Sequence, residues 1–502
     1  MSDNKNYFNE ILEFMGKIKD LRSALALLMW DQETYIPKGA HTSRANQITT
    51  LESLIHSQLI SKEAKNLFDV VEKCKLNCSI SEQQHLKLFS EELERAFKIP
   101  SKFIKELSIV KSEALDKWKQ ARSESNYSIF KNIFAKLIEM KIQEAEFIGF
   151  KENPYDAFLN LYEPGSSVRM IDPLFNELKI ETIQLLKSVK NQHENITYNF
   201  LYKYYSADGQ SKMSRFIAES IGFNYINGRF DFSVHPITLA LDPKDVRLTT
   251  KINVKDLRLC LFSTIHETGH GIYEQGIDSS LYRTFAAEAA SIGIHESQSL
   301  IWENMICKTL EFSEWVLPHL KRFFPDNLKH VSHFDFYKAI NKIQPSLIRS
   351  QSDELTYNLH IILRYELENA LLNNKLSVSD LQEAWNEKMR DYLGLIPESP
   401  LYGCLQDIHW AFGDVGYFPS YTLGKLYAAT MWKYLRKDLK NIFKDISDGN
   451  FISIKEWLAD KVHRHGKMLT ADDIIRRISG EPLSASDFID YITKKCDRII
   501  EN

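Results

Sequence analysis

The amino-acid sequence predicts a mainly α-helical protein with a small β-sheet, and its composition and patterning carry that prediction. Glycine and proline are scarce, with 19 and 14 in 502 residues, where average usage would give about 35 and about 25. This scarcity indicates long helices and few linkers. Alternation of apolar and polar residues replaces helical spacing only at residues 230–250. No repeat, low-complexity tract or Gly/Ser linker divides the chain, so we expect one domain over residues 1–502.

Charge and cysteine content limit the partners and the compartment. The 63 basic and 67 acidic residues give a net charge of −4, without the basic excess that captures nucleic acid. No apolar run approaches the roughly 18 residues that favour a membrane span, and the first residues lack an apolar signal core. The six cysteines are scattered, which is typical of reduced thiols. We therefore expect a cytoplasmic protein with no nucleic-acid or membrane partner.

Helical spacing begins near the amino terminus and returns along most of the chain. The first amphipathic helix is predicted by apolar residues over five turns, at Phe8, Ile11, Leu12, Met15, Ile18, Leu21, Leu25 and Leu28. Another helix is predicted around residues 130–140 by the same criterion. These long helices support the predicted fold class.

The alternating stretch predicts strands that meet at a turn. Residues 230–234 and 237–241 alternate, and a proline turn follows at residues 242–245. On the returning strand, Asp245, Arg247 and Thr249 share one face, because side chains alternate between the two faces of a strand. This polar row could line a cleft beside the helix that comes next.

That next helix contains His266-Glu267-Thr268-Gly269-His270. Residues four apart on a helix lie nearly above one another, so both imidazoles can reach one ion while Glu267 faces a neighbouring water. This is the HExxH pattern of zinc peptidases. Gly269 and Gly271 each cost about 1 kcal/mol inside a helix relative to alanine, so we expect another backbone or a substrate to pack closely there.

A catalytic zinc ion usually has three protein ligands, so a third must come from elsewhere. Glu274 is excluded, because about 12 Å of helix separates it from His266. Glu288 and Glu296 both follow in a predicted helical stretch at residues 285–309, about 12 Å apart, so only one can bind. Glu296 is favoured because small residues that admit a second helix lie near its face: Ala289, Gly293 and Ser299. Glu288 is the alternative.

The run Leu-Phe-Ser-Thr-Ile-His-Glu-Thr-Gly-His at 261–270, followed by Gly-Ile-His-Glu-Ser-Gln-Ser at 293–299, resembles the carboxypeptidase Taq family of metallocarboxypeptidases. Further segments are similar to elements of that family, namely those at 235–236, 245–249, 348–353, 403–410 and 416–421. The resemblance extends from about residue 20 to 430. Its departures include Ile237 where phenylalanine is usual, Ser352 in place of alanine and Leu300 where arginine is frequent. None removes a proposed metal ligand.

The resemblance implies a helical metallopeptidase with a deep active-site groove, formed by one catalytic domain or by two helical lobes around that groove. It implies a carboxypeptidase that releases single C-terminal amino acids from peptides with a free C-terminus. One divalent ion per subunit is expected, zinc first, with cobalt or manganese as alternatives. A homodimer is implied by the family alone.

Roles for individual residues follow from this expectation. His266, His270 and Glu296 hold the ion, and Glu267 takes a proton from the attacking water as general base. A fork of guanidinium N–H groups suits the terminal carboxylate of the substrate, with Arg349 as first choice and Arg247 as second. The candidates that stabilise the tetrahedral oxyanion are His235, His409 and Tyr421.

Two other functions are compatible with the HExxH motif and a distant glutamate ligand. A zinc endopeptidase or a dipeptidyl carboxypeptidase also uses HExxH with a distant glutamate. A non-catalytic helical protein could retain the ion for stability, but Glu267 argues against it, since a structural ion has no use for a base beside its water.

Overall fold

A computed structural model describes residues 2–75, 78–193 and 195–501, and 71% of the chain is helical. The predicted mainly α class with a small sheet is confirmed. Nine helices precede the sheet in the described part of the chain: α1 Ser2–Thr34, α2 His41–Leu59, α3 Lys62–Lys75, α4 Ile80–Lys98, α5 Ser101–Ser123, α6 Tyr127–Ile148, α7 Pro154–Tyr162, α8 Val168–Val189 and α9 Ala207–Ser220.

The helices after the sheet carry most of the predicted site residues. They are α10 Leu257–Gly276, α11 Ile292–Leu300, α12 Leu310–Phe323, α13 Pro325–Leu328, α14 His333–Ile340, α15 Tyr357–Leu372, α16 Leu381–Leu393, α17 His409–Phe412, α18 Pro419–Asp438, α19 Ile442–Asp448, α20 Ile452–Lys461, α21 Ala471–Ser479 and α22 Ser486–Glu501. A π-helical segment, Ile301–Ile306, continues directly from α11. Short 3₁₀ turns, such as Arg349–Gln351, join other elements.

The amphipathic first helix is present as α1. Phe8, Ile11, Met15 and Ile18 are buried in a cluster formed by α1–α4, and Phe285 from the rest of the chain completes this cluster. A separate and larger cluster unites residues from α5 to α22. Each helix group thus buries its own apolar faces. The assignment of residues 1–502 to one catalytic domain stays a prediction.

The predicted sheet has three strands, β1 Gly228–Phe232, β2 Thr238–Asp242 and β3 Asp245–Thr250, in the order β1-β3-β2. β1 runs parallel to β3, and β2 is antiparallel to it. Val246 and Leu248 on β3 are fully buried. A Cβ atom on Gly271 of α10 would come within 2.8 Å of the Leu248 side chain, so the sheet packs directly against that glycine.

Two further glycines bring α11 into backbone contact with its neighbours. A Cβ on Gly269 of α10 would come within 2.6 Å of the Gln298 carbonyl oxygen. A Cβ on Gly424 of α18 would lie 2.9 Å from the Cβ of Glu296. The close packing expected at Gly269 and Gly271 is therefore present, and α11 is held between α10 and α18.

The prediction of a helix over residues 285–309 is wrong for residues 285–291. Helix α11 begins only at Ile292, because the Ser291 hydroxyl accepts a hydrogen bond from the Ile294 amide at 3.0 Å and caps the helix. Glu288 therefore lies in the irregular segment before the cap. The distance argument that assumed one helix for both glutamates does not apply to it.

The six cysteines are all free thiols, as their scattered positions predict. Within the described residues, no helix combines the length and apolarity required to cross a lipid bilayer.

Candidate active site

The centre of the site is formed by side chains from α10 and α11. His266 and His270 lie one turn apart on α10, and their Nε2 atoms are 3.9 and 3.7 Å from Oε2 of Glu296. One ligand atom from each of these three residues lies within 4.8 Å of the others. The structure thus brings together the two histidines and the glutamate that the sequence favoured.

The opposite nitrogen of each imidazole is already engaged. Nδ1 of His266 is 2.9 Å from Oε2 of Glu303, and Nδ1 of His270 is 3.1 Å from the carbonyl oxygen of His295. Both oxygens accept a hydrogen bond, so in the neutral form that binds a metal each ring carries its hydrogen on Nδ1 and directs its Nε2 lone pair towards Glu296. Metal-binding histidines are oriented in the same way by an acceptor on the ring nitrogen that faces away from the metal.

Glu303 was not identified from the sequence. It lies on the π-helical segment, seven residues after Glu296, and its other carboxylate oxygen accepts from Lys308 at 3.2 Å. Seven residues correspond to about two helical turns, so this spacing was the signal available. The spacing alone does not show that the side chain meets His266.

The charge of this cluster favours a cation. Burial raises the pKa of Glu267 and of Glu296, because it penalises their charged forms. Burial lowers the pKa of His266, but Glu296, Glu303 and Glu267 outweigh it and raise that pKa to about 10. Three carboxyl groups around two imidazoles therefore form a donor set that fits a divalent ion.

The carboxylate of Glu267 is fixed by the sheet. Thr238 on β2 donates its hydroxyl proton to Oε2 of Glu267 at 2.7 Å, and the same hydroxyl lies 3.1 Å from the Glu267 carbonyl oxygen. Glu267 is 8% exposed. The sequence placed the small sheet beside this helix but did not identify Thr238.

Glu288, the alternative ligand, has a different environment. Its carboxylate accepts from Lys19 at 3.0 Å and from Lys467 at 2.5 Å, and Arg22 is 3.8 Å away. Burial opposes ionisation, but Lys467, Lys19 and Arg22 hold the pKa of this carboxyl far below its usual range. The ion-pair partners of the Glu288 carboxylate are Lys19, Arg22 and Lys467. Glu288 therefore connects α1 to the rest of the chain and does not join the histidines.

Arg349 lies in a group of aromatic and charged side chains. Its Nε and Nη2 donate to Oδ1 of Asp407 at 3.1 and 2.9 Å, and its Nη1 donates to the Tyr357 hydroxyl at 2.9 Å. The guanidinium is 5.1 Å from the ring centroid of Tyr421. Tyr421 lies on α18 one turn before Gly424, where a Cβ atom would come within 2.9 Å of the Glu296 side chain, so Arg349 lies at the part of α18 that packs against the histidine cluster.

Arg247 is placed apart from that group, on β3. Both arms of its fork donate to Asp245 at 2.8 Å, and its guanidinium lies 4.8 Å from the Trp30 ring centroid. The N–H groups of Arg247 are therefore paired with Asp245 of the same strand, and the flat face of its guanidinium covers Trp30 of α1.

The three oxyanion candidates are divided between these two regions. Nε2 of His409 and the hydroxyl of Tyr421 are 3.5 Å apart, beside Arg349. Burial lowers the pKa of His409 to about 4, so its ring is neutral near pH 7. His235 is exposed in the loop before β2, and its ring pairs with no described residue. It lies three positions before Thr238 in the sequence.

Comparison with known proteins identifies the family that the chain resembles. Residues 10–496 match the family described as Carboxypeptidase Taq (M32) metallopeptidase. Carboxypeptidase 1 of Bacillus subtilis is 40% identical over 97% of this chain and 98% of its own length. Thermostable carboxypeptidase 1 of Thermus thermophilus is 35% identical over 97% and 98%.

A solved structure shows the same fold. The M32 carboxypeptidase from Deinococcus radiodurans superimposes with a TM-score of 0.96 at 30% identity, covering 99% of this chain and 100% of that one. The family match spans nearly the whole chain, and the sequence relatives and the fold agree with it. The chain therefore belongs to the carboxypeptidase Taq family of metallopeptidases.

Proposed function

We propose that this protein is a metal-dependent carboxypeptidase that releases single amino acids from the C-terminus of peptides. The observation that carries the proposal is the position of Arg349, next to the cluster of His266, His270 and Glu296. A metal site without a fixed cation beside it would suit an endopeptidase equally well. A guanidinium beside the metal site selects substrates that end in a free carboxylate.

His266, His270 and Glu296 are the proposed ligands, in agreement with the three acceptor atoms that converge there. A divalent ion bound by them supplies Lewis-acid chemistry, which acidifies water and polarises the scissile carbonyl. Glu267 then accepts the water proton and returns it to the leaving amine. Its burial raises its pKa, which makes the carboxylate a better base, and Thr238 keeps it oriented.

Arg349 is the proposed anchor for the terminal carboxylate, and Tyr421 and His409 are the proposed oxyanion donors. The neutral His409 ring and the Tyr421 hydroxyl each carry one N–H or O–H that can turn towards a developing negative charge. His235 remains a third candidate, since it lies just before β2, the strand whose Thr238 donates a hydrogen bond to Glu267. Arg247 is the weaker candidate for the carboxylate, because it lies on β3, apart from the group around Arg349, and its charge is cancelled by Asp245.

The remaining parts of the proposal rest on family membership and on composition. Zinc is the proposed ion, since two imidazoles and one carboxylate are typical ligands of catalytic zinc; cobalt and manganese are the alternatives. Six free cysteines agree with a cytoplasmic enzyme. We also propose one catalytic domain over residues 1–502 and a homodimer, as the family resemblance implies.

A comparison of free and amidated peptides tests the proposed function. A charge-assisted bidentate contact contributes about 1.5 to 3 kcal/mol, and an unpaired buried guanidinium adds to the loss. The amidated peptide should therefore be cleaved roughly 10²-fold more slowly than the free acid, since each 1.36 kcal/mol is tenfold. Arg349→Met should remove most of this difference while the metal stays bound.

Arg247→Met is the matched control, since it removes a guanidinium that Asp245 already pairs. It should retain the discrimination between acid and amide. Equal rates on both peptides in the wild-type enzyme would overturn the carboxypeptidase and favour an endopeptidase, whereas release of dipeptides would favour a dipeptidyl carboxypeptidase. Discrimination that survives Arg349→Met and disappears in Arg247→Met would move the anchor to Arg247.

A further inference from the structure

Asp407 is shared by two arginines. Its Oδ1 accepts from Nε and Nη2 of Arg349 at 3.1 and 2.9 Å, and its Oδ2 accepts from Nε and Nη2 of Arg364 at 2.7 and 2.5 Å. The second arginine comes from α15 and the aspartate from the segment before α17. Neither Arg364 nor its pairing with Asp407 was foreseen from the sequence.

The two arginines differ in what they can reach. The side chain of Arg364 is 0% exposed and that of Arg349 is 13% exposed. The third nitrogen of Arg364, Nη1, donates to the His360 carbonyl oxygen at 2.7 Å. Arg364 is thus fully enclosed by protein groups, whereas Arg349 is partly exposed and can offer the second hydrogens of its terminal nitrogens to a ligand.

The net charge of Arg349, Arg364 and Asp407 suggests a function for the ion pair between Arg364 and Asp407. Two guanidiniums and one carboxylate leave one positive charge, and only Arg349 can present it to a ligand. Paired one to one with Asp407, Arg349 would resemble Arg247, whose charge is cancelled by Asp245. An incoming substrate carboxylate would then meet a guanidinium whose charge is already cancelled by Asp407, and it would also be repelled by that aspartate.

We propose that Arg364 is a positioning residue that determines specificity: it neutralises Asp407, so that Arg349 keeps its charge for the terminal carboxylate of the substrate. This inference rests on the proposed function and deepens it. Arg364 does not touch the substrate. It acts through Asp407, which both orients Arg349 and would otherwise cancel its charge.

A purely structural role for Arg364 makes a different prediction. The guanidinium lies 4.5 Å from the Trp385 ring centroid and 5.4 Å from that of Phe418, so its removal also disturbs packing. Loss of packing would reduce cleavage of free and amidated peptides together. Loss of the counter-charge would raise KM for the free acid alone and reduce the ratio of acid to amide cleavage.

The test measures that ratio as kcat/KM in Arg364→Gln, Arg364→Lys and the double variant Arg364→Gln with Asp407→Asn. In Arg364→Gln the ratio should fall by about tenfold or more, which corresponds to about 1.4 kcal/mol. Arg364→Lys keeps the charge, so its ratio should stay within about threefold of the wild type. In the double variant Arg349 is again without a competing charge, and the ratio should recover by at least about fivefold over Arg364→Gln.

The outcomes separate this inference from the proposed function. If the wild type shows no discrimination, the carboxypeptidase assignment fails first. If the wild type discriminates and Arg349→Met removes the difference, the anchor stands, and the inference is overturned by an unchanged ratio in Arg364→Gln or by no recovery in the double variant. Equal losses in the lysine and glutamine variants would assign Arg364 a packing role only. If Arg364→Gln does not fold, the double variant decides: the inference requires it to retain most of the wild-type discrimination, and a double variant that has lost it overturns the inference.

Discussion

Glu288 and Glu296 lie eight residues apart, yet they belong to two different regions of the molecule. Glu288 is in an irregular segment and is surrounded by Lys19, Arg22 and Lys467. Glu296 is on α11 and faces two histidines whose Nε2 atoms are 3.9 and 3.7 Å away. One carboxylate is saturated by fixed cations from the protein. The Glu296 carboxylate instead faces His266 and His270, which can bind a metal ion together with it.

The difference shows why the distance between candidate ligands was not sufficient to choose between them. A carboxylate can bind a metal ion only if its neighbours are other ligands, and three ammonium or guanidinium groups would repel the ion. The pKa values express the same contrast. The cations lower the pKa of Glu288, whereas burial raises that of Glu296 in the protein without an ion.

The largest expected effect is on metal content. Glu296→Ala should lose the bound ion and with it the activity, because two histidines do not retain a catalytic ion. Glu288→Ala should keep a full equivalent of metal. Metal analysis of both purified variants after dialysis is the measurement. Loss of metal from the Glu288 variant together with retention in the Glu296 variant would reverse the assignment.

The next effect concerns chemistry at an intact site. Glu267→Gln should retain the metal and lower kcat by at least about 10²-fold, the lower range for a general acid–base residue. The amide preserves the shape of the side chain and can still accept from Thr238, so binding should change little. Near-normal turnover in a fully metal-loaded Glu267→Gln enzyme would remove this residue from the mechanism.

The smallest effect should be seen at Glu288, and it depends on pH. The folded state lowers its pKa, so its ion pairs stabilise the fold fully above the ordinary value near 4.3 and lose this contribution as the pH falls towards the depressed pKa. Glu288→Gln should therefore lower the free energy of unfolding by about 1 kcal/mol at pH 7 and by less near pH 3.

Denaturant unfolding of the wild type and Glu288→Gln at several pH values measures this difference. Glu63→Gln is a suitable control, since Glu63 is an exposed partner of Lys17 at 3.6 Å. A destabilisation by Glu288→Gln that is constant between pH 3 and pH 7 would show that the ion pairs contribute nothing to it.

The parts of the site that follow from local spacing were predictable from the sequence. His266 and His270 meet because they are one turn apart on a single helix. Glu303, Thr238 and Arg364 could not be found in this way. Each meets its partner through packing of distant segments, as Thr238 does 29 residues before Glu267.

The predicted fold shows the same limit. Periodicity gave the helices and the small sheet, but the boundary of α11 depends on the cap at Ser291. The parallel pairing of β1 with β3 likewise depends on tertiary contacts, because strand order is not encoded in alternation. The stretch before Ile292 is predicted as helix, but it takes an irregular path in which Glu288 pairs with Lys19 of α1.

The glycine contacts on both sides of α11 determine where this enzyme can be redesigned. At Gly269 and Gly424 even a methyl group would meet backbone or Glu296 within 2.6 to 2.9 Å, so the spacing of the three central helices leaves no tolerance for mutation. A library directed at altered substrate preference should therefore leave α10, α11 and α18 constant there. Sequence variation belongs at exposed loop positions such as Val234, whose side chain is 65% exposed, so that a new side chain there extends into solvent.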